Sequence, residues 1–361
     1  FGPSADAAQL EGSKSHCKKF LLDNDIPTGE AATFADAEAA LAHLDSLPAV
    51  PVVKADGLAA AKGVIDAERR DEAADAIRSI LVDGRFGTAG DQVLLEERLT
   101  RPQISILAIC EGRDIHLKPA AHDHKRLHDG APGPNTRGMG AYAPAPVTIS
   151  TDELLATFVQ PILDYYASAG TPYVGVLYAG LMLTDDGPRL IEYNCRFGDP
   201  ETQAVLPLLE TDLAELALAC TRHDVSSVPV GVRDGAACTV VAAAPGYPGS
   251  PSTGSAITLS GFSTTDWANR STEDADAILF PAGVTDGRTS GGRVLAVTGL
   301  GTDLAAARGA AYRAMDGVSF PNMIVRRDIG WRAPGAMLTS YASTGVDIDE
   351  GNRAVDQMKG A

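Results

Sequence analysis

Apolar residues in this chain recur with two periods, and the two alternate along its length. Ala37, Ala40, Leu41 and Leu44 stand at helical spacing and predict a helix over Asp36 to Leu47. The same reading predicts helices over Asp71 to Val82, over Asp152 to Ala169, where Leu155, Phe158, Val159, Ile162 and Tyr166 share a face, and over Thr302 to Met315. Helical segments around Gly12-Ser13-Lys14 open the chain and are ended by Pro27. Between these lie short apolar runs. Pro51-Val52-Val53-Lys54 reads as a buried strand entering the loop Ala55 to Gly63, and Val93 to Glu97 and Ile104 to Ile109 read as further strands. Tyr173 to Thr184, the turn Asp185-Asp186-Gly187 and Arg189 to Tyr193 form an antiparallel hairpin. Past Gly235 the texture becomes short alternating segments between Gly and Pro turns, among them Ala237 to Ala243, Ala277 to Phe280 and Arg293 to Thr298. The fold class is therefore α/β (α+β), with a small β-rich domain at the C-terminal end.

Composition narrows the choices. A length of 361 residues allows two or three domains, and 45% apolar residues is ordinary for a globular protein. The formal net charge of −17 argues against general nucleic-acid or anionic-membrane binding. Any anionic substrate must then meet local cations, and Lys54, Lys62, Lys125, Arg126 and Arg196 predict a locally positive cleft. Five scattered cysteines, never spaced as Cys-x-x-Cys, indicate neither a disulfide framework nor a zinc site and suit a reducing cytoplasm. No apolar run is long enough to cross a bilayer, and no signal segment opens the chain. It begins Phe1-Gly2-Pro3-Ser4 without Met, which reads as an internal start.

Candidate chemistry concentrates on Leu190 to Glu201. In an extended backbone Glu192, Asn194 and Arg196 point one way, while Ile191, Tyr193 and Cys195 point the other. A carboxylate and an amide oxygen two residues apart can hold a hard cation such as Mg²⁺, with a guanidinium beside them for phosphate or carboxylate. A solvated strand edge would carry the same residues, just as Lys54 alone could be a strand-end lysine reaching solvent. The glycine loop directly after Lys54 favours phosphate, because glycine lets backbone N–H groups approach closely. His122-x-His124 could be a metal pair on one strand face, although no third ligand is evident nearby. The Gly- and Pro-rich segment from His122 to Tyr142 is too irregular for regular structure and too long for a mere connector, as functional loops are.

Taken in order, these residues resemble the ATP-grasp ligases. More narrowly, Gly12-Ser13-Lys14, Lys54-Ala55-Asp56-Gly57-Leu58-Ala59, Asp123-His124-Lys125-Arg126, Gly133-Pro134-Asn135-Thr136, Gly138-Met139-Gly140-Ala141-Tyr142, Leu177-Tyr178-Ala179-Gly180 and Asn194 through Glu201 look like the phosphoribosylamine-glycine ligase (glycinamide ribonucleotide synthetase) family. Gly291-Gly292-Arg293-Val294 and Arg326 through Gly330 fit that family's C-terminal domain. The resemblance implies an ATP-grasp domain over residues 1–232 with a lid at about 48–113, a C-terminal domain over 233–332, and a missing N-terminal nucleotide-fold-like domain. Residues 333–361 resemble a linker and the opening of phosphoribosylformylglycinamidine cyclo-ligase, so the chain is expected to be a piece of a fused enzyme.

The implied reaction, in de novo purine biosynthesis, uses ATP to join glycine to 5-phosphoribosylamine through a glycyl phosphate, giving glycinamide ribonucleotide, ADP and phosphate. The resemblance assigns Mg²⁺ (or Mn²⁺) to Glu192 and Asn194, and the ATP phosphates to Lys14 and Lys54. It gives the lid to Gly57, Lys62 and Gly63, and the adenine hinge to Glu96, Glu97 and Leu99. Arg196 steadies the transferred phosphoryl group, so that Arg196 and Lys54 are the catalytic pair. Asp123, Lys125, Asn135, Thr136, Gly138, Met139, Gly140, Arg196, Asp199 and Glu201 surround the substrates. Several positions depart from the pattern: Ala61 for a lid Gly, Arg101-Pro102-Gln103 where the ribose contact is expected, His122 for Gln, Arg137 for Gly and Ser290 for Asn. These departures, with the missing N-terminal domain, keep open a catalytically weak or inactive nucleotide-binding module; an ATP-grasp ligase for another acid or amine is a second alternative.

Overall fold

A computed structural model describes residues 1–59, 63–100, 102–116, 120–147, 149–262, 270–271 and 276–331. Ala61, Lys62, Arg101 and the tail from 332 lie outside the described residues. Tertiary contacts divide the chain into two compact units. One comprises Phe1–Ala120, Val147–Gly198 and Thr211–Gly231; the other comprises Ala121–Pro146, Asp199–Glu210 and the described residues from Val232 onward.

The first unit contains a four-stranded antiparallel sheet in the order Ala31–Phe34, Val93–Glu96, Val52–Ala55, Val64–Ile65. Helices Ala37–Ser46 and Arg70–Leu81 contribute Ala40, Leu44, Ala73, Ile77 and Ile80 to one core with Val53, Val93 and Leu95. Asp36 caps the first of these helices through its carboxylate, as its position before the apolar period predicts. The same unit holds the expected hairpin, Tyr173–Thr184 returning as Gly187–Asn194, with Gln103–Gly112 antiparallel to the outgoing strand.

Two expectations are corrected here. The helix over Asp152 to Ala169 is two helices, Thr151–Phe158 and Gln160–Ser168, broken at Val159. Pro161 lacks an N–H and its ring crowds the carbonyl four residues back, so the ladder restarts at Ile162 and Leu163, which both donate to Val159 O. The return strand also carries an extra residue: its register shifts between Leu190 and Glu192, so Ile191 is a bulge and takes no part in the predicted alternation.

In the second unit, Gly140–Ala143, Ala236–Ala243, Arg293–Gly301 and Ala277–Pro281 are successive antiparallel neighbours, and Ala120–Asp123 pairs with the first. The helix Leu304–Met315 packs on this sheet through Ala307, Ala311 and Met315. The segment from His122 to Tyr142 is thus not irregular throughout. Both ends are strands, and between them Arg126 bridges Asn135 and Leu127 N donates to Pro134 O, which makes a distorted hairpin. Gly and Pro content concealed short strands whose side chains are mostly buried, Ala141 and Tyr142 fully so. No described helix is long and apolar enough to cross a membrane.

Candidate active site

Beyond the bulge the return strand alternates cleanly. Glu192 faces Gly180 and Asn194 faces Tyr178 in register, which puts both side chains on the face that carries Ser105 and Tyr178, whose hydroxyls lie 2.6 Å apart. Tyr193 takes the opposite face, is buried, and donates to Phe158 O. A Cβ on Gly180 would lie in ordinary contact, 3.4 Å, with both Glu192 Cγ and Gln103 Nε2, which places these side chains on one face. Arg196 follows at the strand end: Nη2 donates to Asn194 Oδ1 at 3.1 Å and Nε to Glu11 Oε1 at 3.0 Å, while Glu11 Oε2 accepts from Cys195 N at 2.8 Å.

The lysines arrive from two other elements. Helix Lys14–Asp23 begins against the loop after Lys54: Ser15 N and Ser13 Oγ donate to the Asp56 carboxylate, a negative group at a helix N-terminus. Lys14 Nζ donates to Asp56 O at 3.2 Å and Gly57 O at 3.0 Å. Burial and the nearby Lys54 charge hold the Lys14 ammonium below the usual lysine range, opposed by Glu192 and Asp56. The two lysines and the Glu192 carboxylate therefore feel one another. Lys54 is buried and ion-paired with Glu96. The other oxygen of Glu96 is held by Lys18, one turn after Lys14 on the same helix, at 2.5 Å.

Lys14, Lys18, Lys54 and Arg196 consequently stand among Glu11, Asp56, Glu96 and Glu192. The expected positive cleft is, in this unit, a charge-balanced cluster, because the fold matches its cations with carboxylates drawn from distant parts of the sequence. The Glu96 side chain is committed to the lysines, which leaves only its backbone for a hinge. Glu97 is exposed, its N–H donates to Glu30 O at 2.8 Å, and its carboxylate accepts from Arg189; Leu99 is half-buried. Gly57 N–H is likewise engaged, donating to Ala89 O, and a Cβ at Gly57 would come within 2.8 Å of Ala89 Cα. Glycine is required there by close packing in addition to any contact with phosphate. Gly63 O accepts from Ala55 N at 2.7 Å. Gln103 Nε2 is sealed from solvent with no hydrogen-bond partner among the described residues, on the Glu192 face.

The second unit holds the remaining candidates. Asp123 ends its strand with Oδ1 sealed from solvent and without a hydrogen bond among the described residues, and burial together with the buried Glu201 carboxyl raises its pKa to about 8 against the pull of Lys125 and Arg293. Gly138 has φ +107°, and a Cβ on it would meet Pro200 Cδ at 2.4 Å and Asp123 Oδ1 at 2.8 Å. Arg293 ties the two loops together: Nη1 donates to Arg137 O and Asp199 O, both at 2.9 Å, and Nη2 to Asp199 Oδ2 at 2.9 Å. Thr136 closes a turn onto Lys125 O through both N–H and hydroxyl, beside the Asn135 bridge.

Met139 belongs to the core. Its side chain is fully buried with Leu127 and Ala243, and its N–H and C=O bond His124 O and Val241 N. Gly140 O accepts from His124 N, and its Cα lies against Thr239 O too closely for any side chain. His122 and His124 pack as a ring cluster with Tyr142, and among the described residues no group of three or more His, Cys, Asp or Glu is placed to hold a metal.

Residues 12–202 match the phosphoribosylglycinamide synthetase ATP-grasp (A) domain, and residues 237–332 match the C domain of the same synthetase. The chain belongs to this family. The phosphoribosylamine-glycine ligase of Caulobacter vibrioides is 46% identical over 92% of this chain and 78% of its own length. A bifunctional purine biosynthetic protein of Schizosaccharomyces pombe is 43% identical, and the trifunctional purine biosynthetic protein adenosine-3 of Gallus gallus 47%, each over 99% of this chain. The chain spans 46% and 36% of the lengths of those two relatives. Among solved structures, phosphoribosylamine-glycine ligase from Thermotoga maritima matches with a TM-score of 0.79 at 34% identity, covering 91% of this chain and 81% of that one. A biotin carboxylase domain from Hydrogenobacter thermophilus, at 13% identity and a TM-score of 0.63, shares the fold.

Sequence reasoning missed Glu11 and Lys18 beside the candidates of the first unit and Arg293 beside those of the second. Lys18 carried one signal, its helical spacing from Lys14. Glu11 carried none, because its partners lie 184 and 185 residues away.

Proposed function

We propose that the polypeptide carrying this chain joins glycine to 5-phosphoribosylamine using ATP, yielding glycinamide ribonucleotide, ADP and phosphate. The observation that carries this reading is the placement of Glu192 and Asn194 on one strand face, with Glu192 in electrostatic reach of Lys14 and Lys14 of Lys54. The reaction divides into two displacements. A glycine carboxylate oxygen attacks the terminal phosphorus and the bond to ADP breaks; the amine nitrogen then attacks the acyl carbon, and phosphate leaves with the C–O electron pair. Phosphoryl transfer of this kind depends on positioning and charge neutralisation. Lys14 and Lys54 bind the phosphates. Arg196, exposed and already fixed at one end by Glu11, steadies the transferred group.

Glu192 and Asn194 offer two hard oxygen donors and no sulfur or imidazole, a set that suits Mg²⁺ or Mn²⁺ and leaves positions for phosphate oxygens and water. When bound, such an ion offsets phosphate charge that this charge-balanced cluster cannot offset alone. Asp123, Lys125, Asn135, Thr136, Gly138, Asp199 and Glu201 are assigned to the substrates. Gly140 and Met139 are assigned to shaping their loop, and Gly57, Lys62, Gly63, Glu97 and Leu99 to the nucleotide. We assign the tail from residue 333 to a linker and the start of a cyclo-ligase, consistent with the multifunctional names of the relatives, and the enzyme to the cytoplasm.

The test is ADP release by the full-length polypeptide. It should require glycine and phosphoribosylamine together. ATP binding without turnover would favour a nucleotide-binding module, and turnover with a different acid or amine would favour another ligase.

A further inference from the structure

We propose that Lys18 is a positioning residue for nucleotide binding: by holding one oxygen of Glu96, it keeps Lys54 from closing into a neutral buried pair and leaves the Lys54 charge available to phosphate. The inference rests on the reading of Lys54 as a phosphate ligand. Lys18 Nζ has three acceptors, Glu96 Oε1 at 2.5 Å, Thr28 Oγ1 at 2.6 Å and Gly29 O at 3.1 Å. An ammonium has three protons, so Lys18 has none left for a ligand. Lys54 differs. Glu96 is its one ion-pair partner among the described residues, which leaves N–H groups for a second acceptor.

Two ammoniums share one carboxylate here, and all three groups are buried: Lys18 is 5% exposed, Lys54 6% and Glu96 3%. At such burial, charge is poorly screened, so the sum matters more than any single pair. With Lys18 present the trio keeps one positive charge, and that charge resides where Lys54 can meet a phosphate. Without Lys18 both oxygens of Glu96 turn to Lys54, the sum falls to zero, and the attraction for an anionic ligand falls with it. The arrangement follows from the sequence. Lys14 and Lys18 lie four residues apart and share a helix face, while Lys54 and Glu96 sit in neighbouring strands of the four-stranded sheet.

The test uses the full-length polypeptide and compares wild type with Lys18→Met, Lys18→Met/Glu96→Gln and Lys54→Met. Lys18→Met should raise the KM for ATP by about tenfold or more with a much smaller change in kcat and in the KM for glycine. Removing the carboxylate as well should return the ATP KM to within about threefold of wild type. A purely structural lysine would lower the thermal midpoint and shift all kinetic parameters together, with no recovery in the double variant. Folded Lys18→Met with a wild-type ATP KM would overturn the proposal. So would a folded double variant whose ATP KM stays raised tenfold, a result that decides the matter even if Lys18→Met does not fold. Lys54→Met separates the two ideas, because an unchanged ATP KM there refutes the phosphate-ligand reading itself.

Discussion

Replacing Asp123 by asparagine removes a carboxyl group that the fold holds protonated at neutral pH. Burial and the neighbouring Glu201 push its pKa from 3.8 to about 8, with Lys125 and Arg293 opposing. The sign follows from proton binding. Between these two values the folded protein keeps a proton that the unfolded chain has lost, so stability falls as pH rises from about 4 toward 8 and then levels. One group of this kind contributes about 1.4 kcal/mol per pH unit, or roughly 4 kcal/mol between pH 5 and pH 8. The replacement amide carries no charge in either state, so the variant lacks that loss. The stability of Asp123→Asn relative to wild type should therefore rise by up to about 4 kcal/mol from pH 5 to pH 8. Urea unfolding at the two pH values, read by circular dichroism, measures it. A difference between variant and wild type that is the same at both would refute the reasoning.

Three further outcomes follow from the geometry. Glu192→Ala should lower turnover by at least about 100-fold while changing unfolding free energy by less than about 1 kcal/mol, because a half-buried group assigned to ligand supports little packing; steady-state ADP release and urea melts check both halves. Arg326 is fully buried and bonds both Asp328 oxygens at 2.7 Å as well as Arg126 O, so Arg326→Met should cost about 3–5 kcal/mol in urea unfolding. Gly138→Ala should destabilise by roughly 2–4 kcal/mol and impair turnover, since the new Cβ meets Pro200 and Asp123 at a backbone angle that side chains resist; thermal melts and ADP release measure it.

The sequence was most legible where chemistry and local structure coincide. The hairpin announced itself through two apolar runs around Asp185-Asp186-Gly187, and its return strand delivers Glu192 and Asn194 to one face as the two-residue period requires. Lys54 was legible for the same reason, at the end of a short buried strand. What escaped was set by contacts distant in sequence. The Lys18–Glu96–Lys54 trio joins residues 78 and 42 apart, and nothing local marks the Glu96 side chain as the shared counter-ion. Arg293 meets Asp199 across 94 residues. The resemblance assigned Met139 to the substrates, while its side chain turns inward onto Leu127 and Ala243, a direction that short-range pattern does not reveal. The break at Val159 was legible in Pro161, but the apolar face running through it masked the proline.

The most direct measurement is diffraction from crystals grown with Mg²⁺ and a non-hydrolysable ATP analogue. The expected result is one Mg²⁺ within about 2.1 Å of both a Glu192 carboxylate oxygen and Asn194 Oδ1, with phosphate oxygens completing its shell and Lys14 and Lys54 donating to the same phosphates. Nucleotide phosphates bound away from Lys54, or a metal ion that touches neither Glu192 nor Asn194, would contradict it.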